Sequence, residues 1–209
     1  MSKKFLGKIE KPSVKEYKTS GKRKVYLIPL LLPGYEHKEL LREYQNKLKK
    51  YWKQVESQLD DLQRKMGKIG KVYYEMVDKD GEEGAKVIQQ MDEVSWKIVK
   101  ELIEKGASLK GIEDFVLVQE HLDLVRCLSL NLKSPRVGAL LSNFFSQNLK
   151  ERDEYISKKI DEDLKQDEIA VLFIRENNFL KFSPDVEVFR IFPPALDELH
   201  HCLEKMQDV

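Results

Sequence analysis

Apolar side chains at Leu41, Tyr44, Leu48, Tyr51, Val55, Leu59, Leu62 and Met66 recur at steps of three or four, with Lys, Glu, Gln and Asp filling the gaps. That spacing draws one apolar stripe on a helix and predicts a rod over 35–66, about 45 Å long at roughly 1.5 Å per residue. A rod more than twice the mean helix length overhangs a small domain, so the pattern calls for a second long helix from the same chain or from another copy. The segment after Ser134-Pro135 supplies one. Ser is a good N-cap and Pro a good first helical residue. Val137, Leu141, Phe144, Phe145, Leu149, Ile156 and Ile160 then carry the helical period to about residue 164. The expectation is an antiparallel pair of long helices.

Outside the rods the pattern changes period. Val25-Tyr26-Leu27-Ile28-Pro29-Leu30-Leu31-Leu32 is apolar nearly throughout, as in a strand buried on both faces, with Pro29 favouring an edge or a bulge. Aromatic and β-branched residues predict strands at 71–77, 169–174 and 186–191. Three further helices are expected at 82–105, 111–130 and 195–206, the second with Ile112, Phe115, Val118, Leu122, Val125 and Leu128 inward. The first of them follows the turn Asp78-Lys79-Asp80-Gly81, whose later positions, Glu83 and Gln89, do not fit a calcium loop. Strand, long helix, strand is the βαβ order. The fold expected is therefore α/β: a small, mainly parallel sheet of about four strands with two long antiparallel helices and three further helices. Residues 24–209 form one domain with a long-helix extension, preceded by a basic flexible arm over 1–23.

Charge divides the chain. Residues 1–24 carry nine Lys or Arg against Glu10 and Glu16, within a chain of net charge +1. Clustered Lys neutralises phosphates, so Lys3, Lys4, Lys8, Lys22, Arg23 and Lys24 are candidate nucleic-acid contacts. The arm lacks the interleaved aromatic residues that base stacking uses. Only Cys127 and Cys202 are present, in no paired motif, which excludes a disulfide framework and points to a reducing, cytoplasmic setting. No apolar run reaches membrane-spanning length.

No phosphate loop, dinucleotide fingerprint, zincin motif or serine-hydrolase elbow occurs, so no catalytic residues, cofactor or metal ligands are assigned. His200-His201-Cys202 contains metal-capable groups, but neighbours on a helix point about 100° apart. His121 and Cys127, six residues apart, read as a helix position and a structural thiol rather than a base and nucleophile. Arg175, Asn177 and Asn178 directly follow a buried strand, and ligands of open α/β sheets sit beyond the strands' carboxyl ends. Asp78 and Asp80 would lie on the same side, making these five residues the candidate ligand site. The acid-rich run of Asp153, Glu154, Asp161, Glu162 and Asp163, with Lys150, Arg152, Lys158 and Lys159 interspersed, reads as an exposed salt-bridged face.

The run from Arg152 through Tyr155-Ile156, Ile160-Asp161, Leu164 and Glu168 to Val171-Leu172-Phe173-Ile174 resembles the helix-then-strand unit of α/β domains in the peptide-chain release-factor superfamily. The GGQ tripeptide of that superfamily's catalytic loop is missing, so the resemblance implies no activity and no site residues here. It implies a link to translation or RNA. The primary expectation is a cytosolic, non-catalytic interaction protein that self-associates or binds a protein partner through its long helices. The alternatives are an RNA- or ribosome-associated factor using the basic arm, and an enzyme binding a small anionic substrate at the strand ends.

Overall fold

The computed structural model describes residues 21–31 and 38–207. Lys3, Lys4, Lys8 and the rest of the arm up to residue 20 lie outside them, as does the Pro33-Gly34 turn. The elements run in the order β1 (Arg23–Leu30), α1 (Lys38–Met66), β2 (Lys71–Tyr74), α2 (Gly81–Met91), α3 (Glu93–Glu104), β3 (Ser108–Lys110), α4 (Phe115–Leu128), α5 (Pro135–Asp163), β4 (Ile169–Arg175), β5 (Val186–Arg190) and α6 (Ala195–Gln207).

All five strands are parallel, in the order β3-β2-β4-β1-β5. The fold is thus α/β as the pattern implied, with five strands in place of four. The additional strand, β3, is three residues long with Leu109 as its one buried residue, too short to leave a periodic signal. Pro29 interrupts nothing. The ladder of β1 with β5 ends at Leu27, so the missing N–H of Pro29 lies past the last β5 partner while pairing with β4 continues to Leu30.

Strand alternation splits the core in two. Tyr26, Ile28, Val72, Tyr74, Val171 and Phe173 face α1, α2, α3 and α6. Val25, Leu27, Tyr73, Ala170, Leu172 and Ile174 face Ile156, Ile160 and Leu164 of α5 and its C-cap, with Leu180 and Phe182 from the β4–β5 connection. The two long helices are therefore on opposite faces of the sheet. Each returns the chain from the carboxyl end of the strands to the amino end, so they run in the same direction. The expected antiparallel pair does not form, because the sheet itself covers both apolar stripes. Helix α1 packs with α6, and α5 packs with α4.

Two helix boundaries also differ from the periodic reading. The run 82–105 breaks at Asp92, which caps α3 by accepting from Val94 N at 3.0 Å. Helix α4 starts four residues later than its pattern, at Phe115. Residues 112 and 113 are drawn off to the loop that follows β2, where their N–H groups donate to Val77 O at 2.9 and 3.2 Å. Asp114 then caps α4 by accepting from Val116 N and Leu117 N.

Candidate functional site

The carboxyl ends of β2 and β4 are a topological switch point, since the chain leaves β2 toward one face and β4 toward the other. Five charged side chains fill that crevice. Arg152, wholly buried, donates through Nε to Glu113 Oε2 at 3.1 Å and through Nη2 to Glu75 Oε1 at 3.0 Å. Glu75 Oε2 also accepts from the backbone N of Arg175 at 2.7 Å. The Arg175 guanidinium spans Glu75 and Asp153. Asp153 accepts from Phe179 N at 2.8 Å, and Glu113 accepts from Met76 N at 3.1 Å. Burial pushes the Glu113 carboxyl up, even though Arg152 pulls it the other way. Burial works against the charge on Arg152, but its hydrogen bonds and pairing with Glu113 and Glu75 outweigh that and raise its pKa.

This arrangement joins elements more than it receives ligands. It ties the start of α4 and the middle of α5 to the ends of β2 and β4. An anion seeking Arg175 would have to displace Glu75 and Asp153, both nearly buried. Asn178 Nδ2 donates to Arg175 O at 2.7 Å and shapes the turn, while Asn177 is exposed. Asp80 is engaged at the end of β3, accepting from Lys110 Nζ at 2.7 Å and Gly111 N at 2.8 Å. Asp78 is half-buried, with Lys79 Nζ at 3.7 Å. Arg175, Asn178, Asp78 and Asp80 are therefore held by different partners, and the five candidate ligand residues do not converge on one another except through the Arg175–Asn178 turn.

The described basic residues at the end of the arm are part of the fold. Arg23 donates to both Asp185 and Asp161, Lys22 pairs with Glu187 at 3.5 Å, and Lys24 is buried at the sheet. His200 Nε2 lies 2.8 Å from Glu176, His201 Nδ1 contacts Asp197 O, and Cys202 belongs to the core. Among the described residues no helix is long and apolar enough to cross a membrane.

Sequence reasoning missed Arg152, Asp153, Glu75 and Glu113, and read the first two as exposed. The signal was present. Arg152 sits three residues after Leu149 and four before Ile156, inside the apolar stripe of its helix. Glu75 is a lone acid in a strand-like run. A charge at a core position implies a buried counter-charge.

N-terminal of Arg152, α5 extends past the ends of the strands by seventeen residues, on the order of 25 Å at the helical rise. Helix α4 runs beside this overhang and contains no buried residue. The two are joined along one seam, where His121 stacks on Phe145 with ring centroids 5.2 Å apart and Asn148 Nδ2 donates to Leu117 O at 2.9 Å. Of the expected inward stripe of this segment, Ile112 is buried ahead of the helix and Val118 and Leu128 are half-buried, whereas Phe115, Leu122 and Val125 are exposed, turned away from that seam. The half-buried positions of α4 are Leu117, Val118, His121, Leu124, Cys127 and Leu128. Of the eleven large apolar residues most exposed among the described residues, eight lie in this hairpin, each 40–64% exposed.

No family model, curated protein or solved structure matches the chain.

The hairpin is also poor in charge. Residues 115–149 contain only Glu120, Asp123, Arg126, Lys133 and Arg136, one residue in seven, in a chain that is 35% charged. A cavity of about 450 Å³ opens on one side of it, lined by Glu120, Asp123, Leu124 and Cys127 of α4 and by Phe144, Gln147, Asn148 and Glu151 of α5.

Proposed function

We propose that this protein is a non-catalytic docking module that binds another polypeptide through the projecting α4–α5 hairpin. The observation that carries the reading is the concentration of exposed apolar side chains there, on two helices held rigidly at their base by the Arg152 ion pairs. Scattered exposed apolar residues are ordinary, but eight on one projection with depleted charge match the composition of interface centres. The crevice where α/β sheets bind small substrates is occupied by Glu75, Glu113, Arg152, Asp153 and Arg175, which favours docking over catalysis.

Photo-crosslinking in cells that make the full chain tests this reading. A photoreactive residue in place of Leu140 or Phe144 yields adducts of defined mass. The same residue in place of Lys53, on the exposed side of α1, does not. Equal yields from the two regions, or none from the hairpin, would remove it.

A further inference from the structure

The polarity of the hairpin is not uniform along its length. On α5, Val137, Leu140, Phe144, Gln147 and Glu151 follow steps of three and four and so form one stripe. Its basal members Phe144, Gln147 and Glu151 line the 450 Å³ cavity, and its outer members Val137 and Leu140 stand beside it toward the tip. Both are more than 40% exposed. One surface thus carries an apolar ridge near the tip and an apolar-floored hollow near the base.

Charge follows the same axis. Three acids, Glu120, Asp123 and Glu151, rim the hollow, and Arg126 neutralises Asp123 at 2.9 Å. Glu151 accepts from Gln147 Nε2 at 2.8 Å and Glu120 from Asn148 Nδ2 at 3.5 Å, and neither has a cationic partner among the described residues. Two bases, Lys133 and Arg136, lie at the tip, and they too make no ion pair among the described residues. Two unpaired acids at one end and two unpaired bases at the other are what a head-to-tail pairing of identical surfaces requires.

From this we infer that the partner of the hairpin is a second copy of the same chain, packed antiparallel about a two-fold axis into a four-helix bundle. The inference rests on the hairpin being the docking surface. Val137 and Leu140 of each copy enter the hollow floored by Leu124, Cys127 and Phe144 of the other. Lys133 and Arg136 then meet Glu120 and Glu151. The contact is about 20 Å long by two helix widths, on the order of 400–500 Å² per copy, near the lower limit for a specific interface. An interface of this size belongs with weak, reversible associations.

Sedimentation equilibrium of the full chain, from about 1 to about 200 μM, reads this out. The expected result is a monomer–dimer equilibrium. Leu140→Asp weakens it, as does the pair Lys133→Glu with Arg136→Glu, and so does the pair Glu120→Lys with Glu151→Lys, each by about tenfold or more. A chain carrying all four reversals dimerises again, because the charge pattern is self-complementary in the opposite sense. All these side chains are exposed, and circular dichroism confirms that each variant keeps its helices. A chain that stays monomeric throughout, or a dimer that ignores both the apolar and the charge changes, overturns the second-copy assignment. Crosslinks from Leu140 to a different polypeptide, with no dimer in the centrifuge, would leave the docking reading standing and this inference refuted. Absence of any hairpin crosslink would remove both.

Discussion

Arg152 Nε lies 3.1 Å from Glu113 Oε2, and neither side chain has any exposure to solvent. The pair bolts the residue just before α4's cap to the centre of α5, and Glu75 extends the link to β2. Removing one partner leaves the other charge buried and alone, so Arg152→Met should lower unfolding stability by roughly 3–5 kcal/mol. Adding Glu113→Gln should recover part of the loss. Urea unfolding followed by tryptophan fluorescence measures both, and a double variant no better than the single one would speak against the pairing as the cause.

The His121 imidazole is pushed down to about 4, first by burial and then by the positive charge of Arg152. In the unfolded chain a histidine titrates near 6.5, so between these values the unfolded state binds the extra proton. Stability due to this group is complete above about pH 6.5 and is lost as pH falls toward about 4. The ring is only half-buried, and solvent screening reduces the effect to about 1–2 kcal/mol. His121→Phe keeps an aromatic ring against Phe145 and should flatten the wild-type decline between those pH values. Parallel pH profiles for the two proteins would show that His121 is not responsible.

Two helical glycines should respond to alanine with opposite signs. At Gly84 in α2, a Cβ would lie 2.3 Å from Lys79 O and 2.8 Å from Val77 Cγ1, so the turn leaving β2 would have to move. Overpacking of that kind costs about 1–3 kcal/mol and outweighs the helix-propensity gain of up to ~1 kcal/mol. At Gly138 in α5 nothing lies within 4 Å of a Cβ, so only the gain remains. Thermal unfolding of Gly84→Ala and Gly138→Ala separates the cases, and two shifts of the same sign would contradict the packing described for Gly84.

Along α5 itself the cost of truncation should fall sharply between base and overhang. Ile156 is fully buried against the sheet, and Ile156→Ala should cost about 2–5 kcal/mol. Leu140, on the overhang, is about half exposed, and Leu140→Ala should stay within about 0.5 kcal/mol in the monomer. Denaturant midpoints at dilute protein concentration check this. Similar losses at the two positions would mean that the overhang is covered.

Much of the secondary structure was legible in the chain. The cap Ser134 and Pro135 opened α5 where expected, and the stripe from Tyr44 to Leu59 is buried as its spacing implied. Phe115, Leu122 and Val125, expected inward but exposed, show the limit of that reading. Helix α4 is apolar on two sides, and the period alone does not say which side meets α5. Asp92 was absorbed into a single helix because its capping role depends on the geometry of its own N–H neighbours, not on the apolar period.

Local periodicity determined which segments are helices and strands, because burial of one face imprints its repeat on the residues that form it. What covers each face depends on residues far away in the chain, and only the tertiary structure decided that. The sheet separates α1 from α5, and Glu75, Glu113 and Arg175 converge on Arg152 and Asp153 of α5 from three other segments. A charge in sequence carries no record of its distant counter-charge, so the buried cluster and the bare hairpin it anchors became visible only in three dimensions.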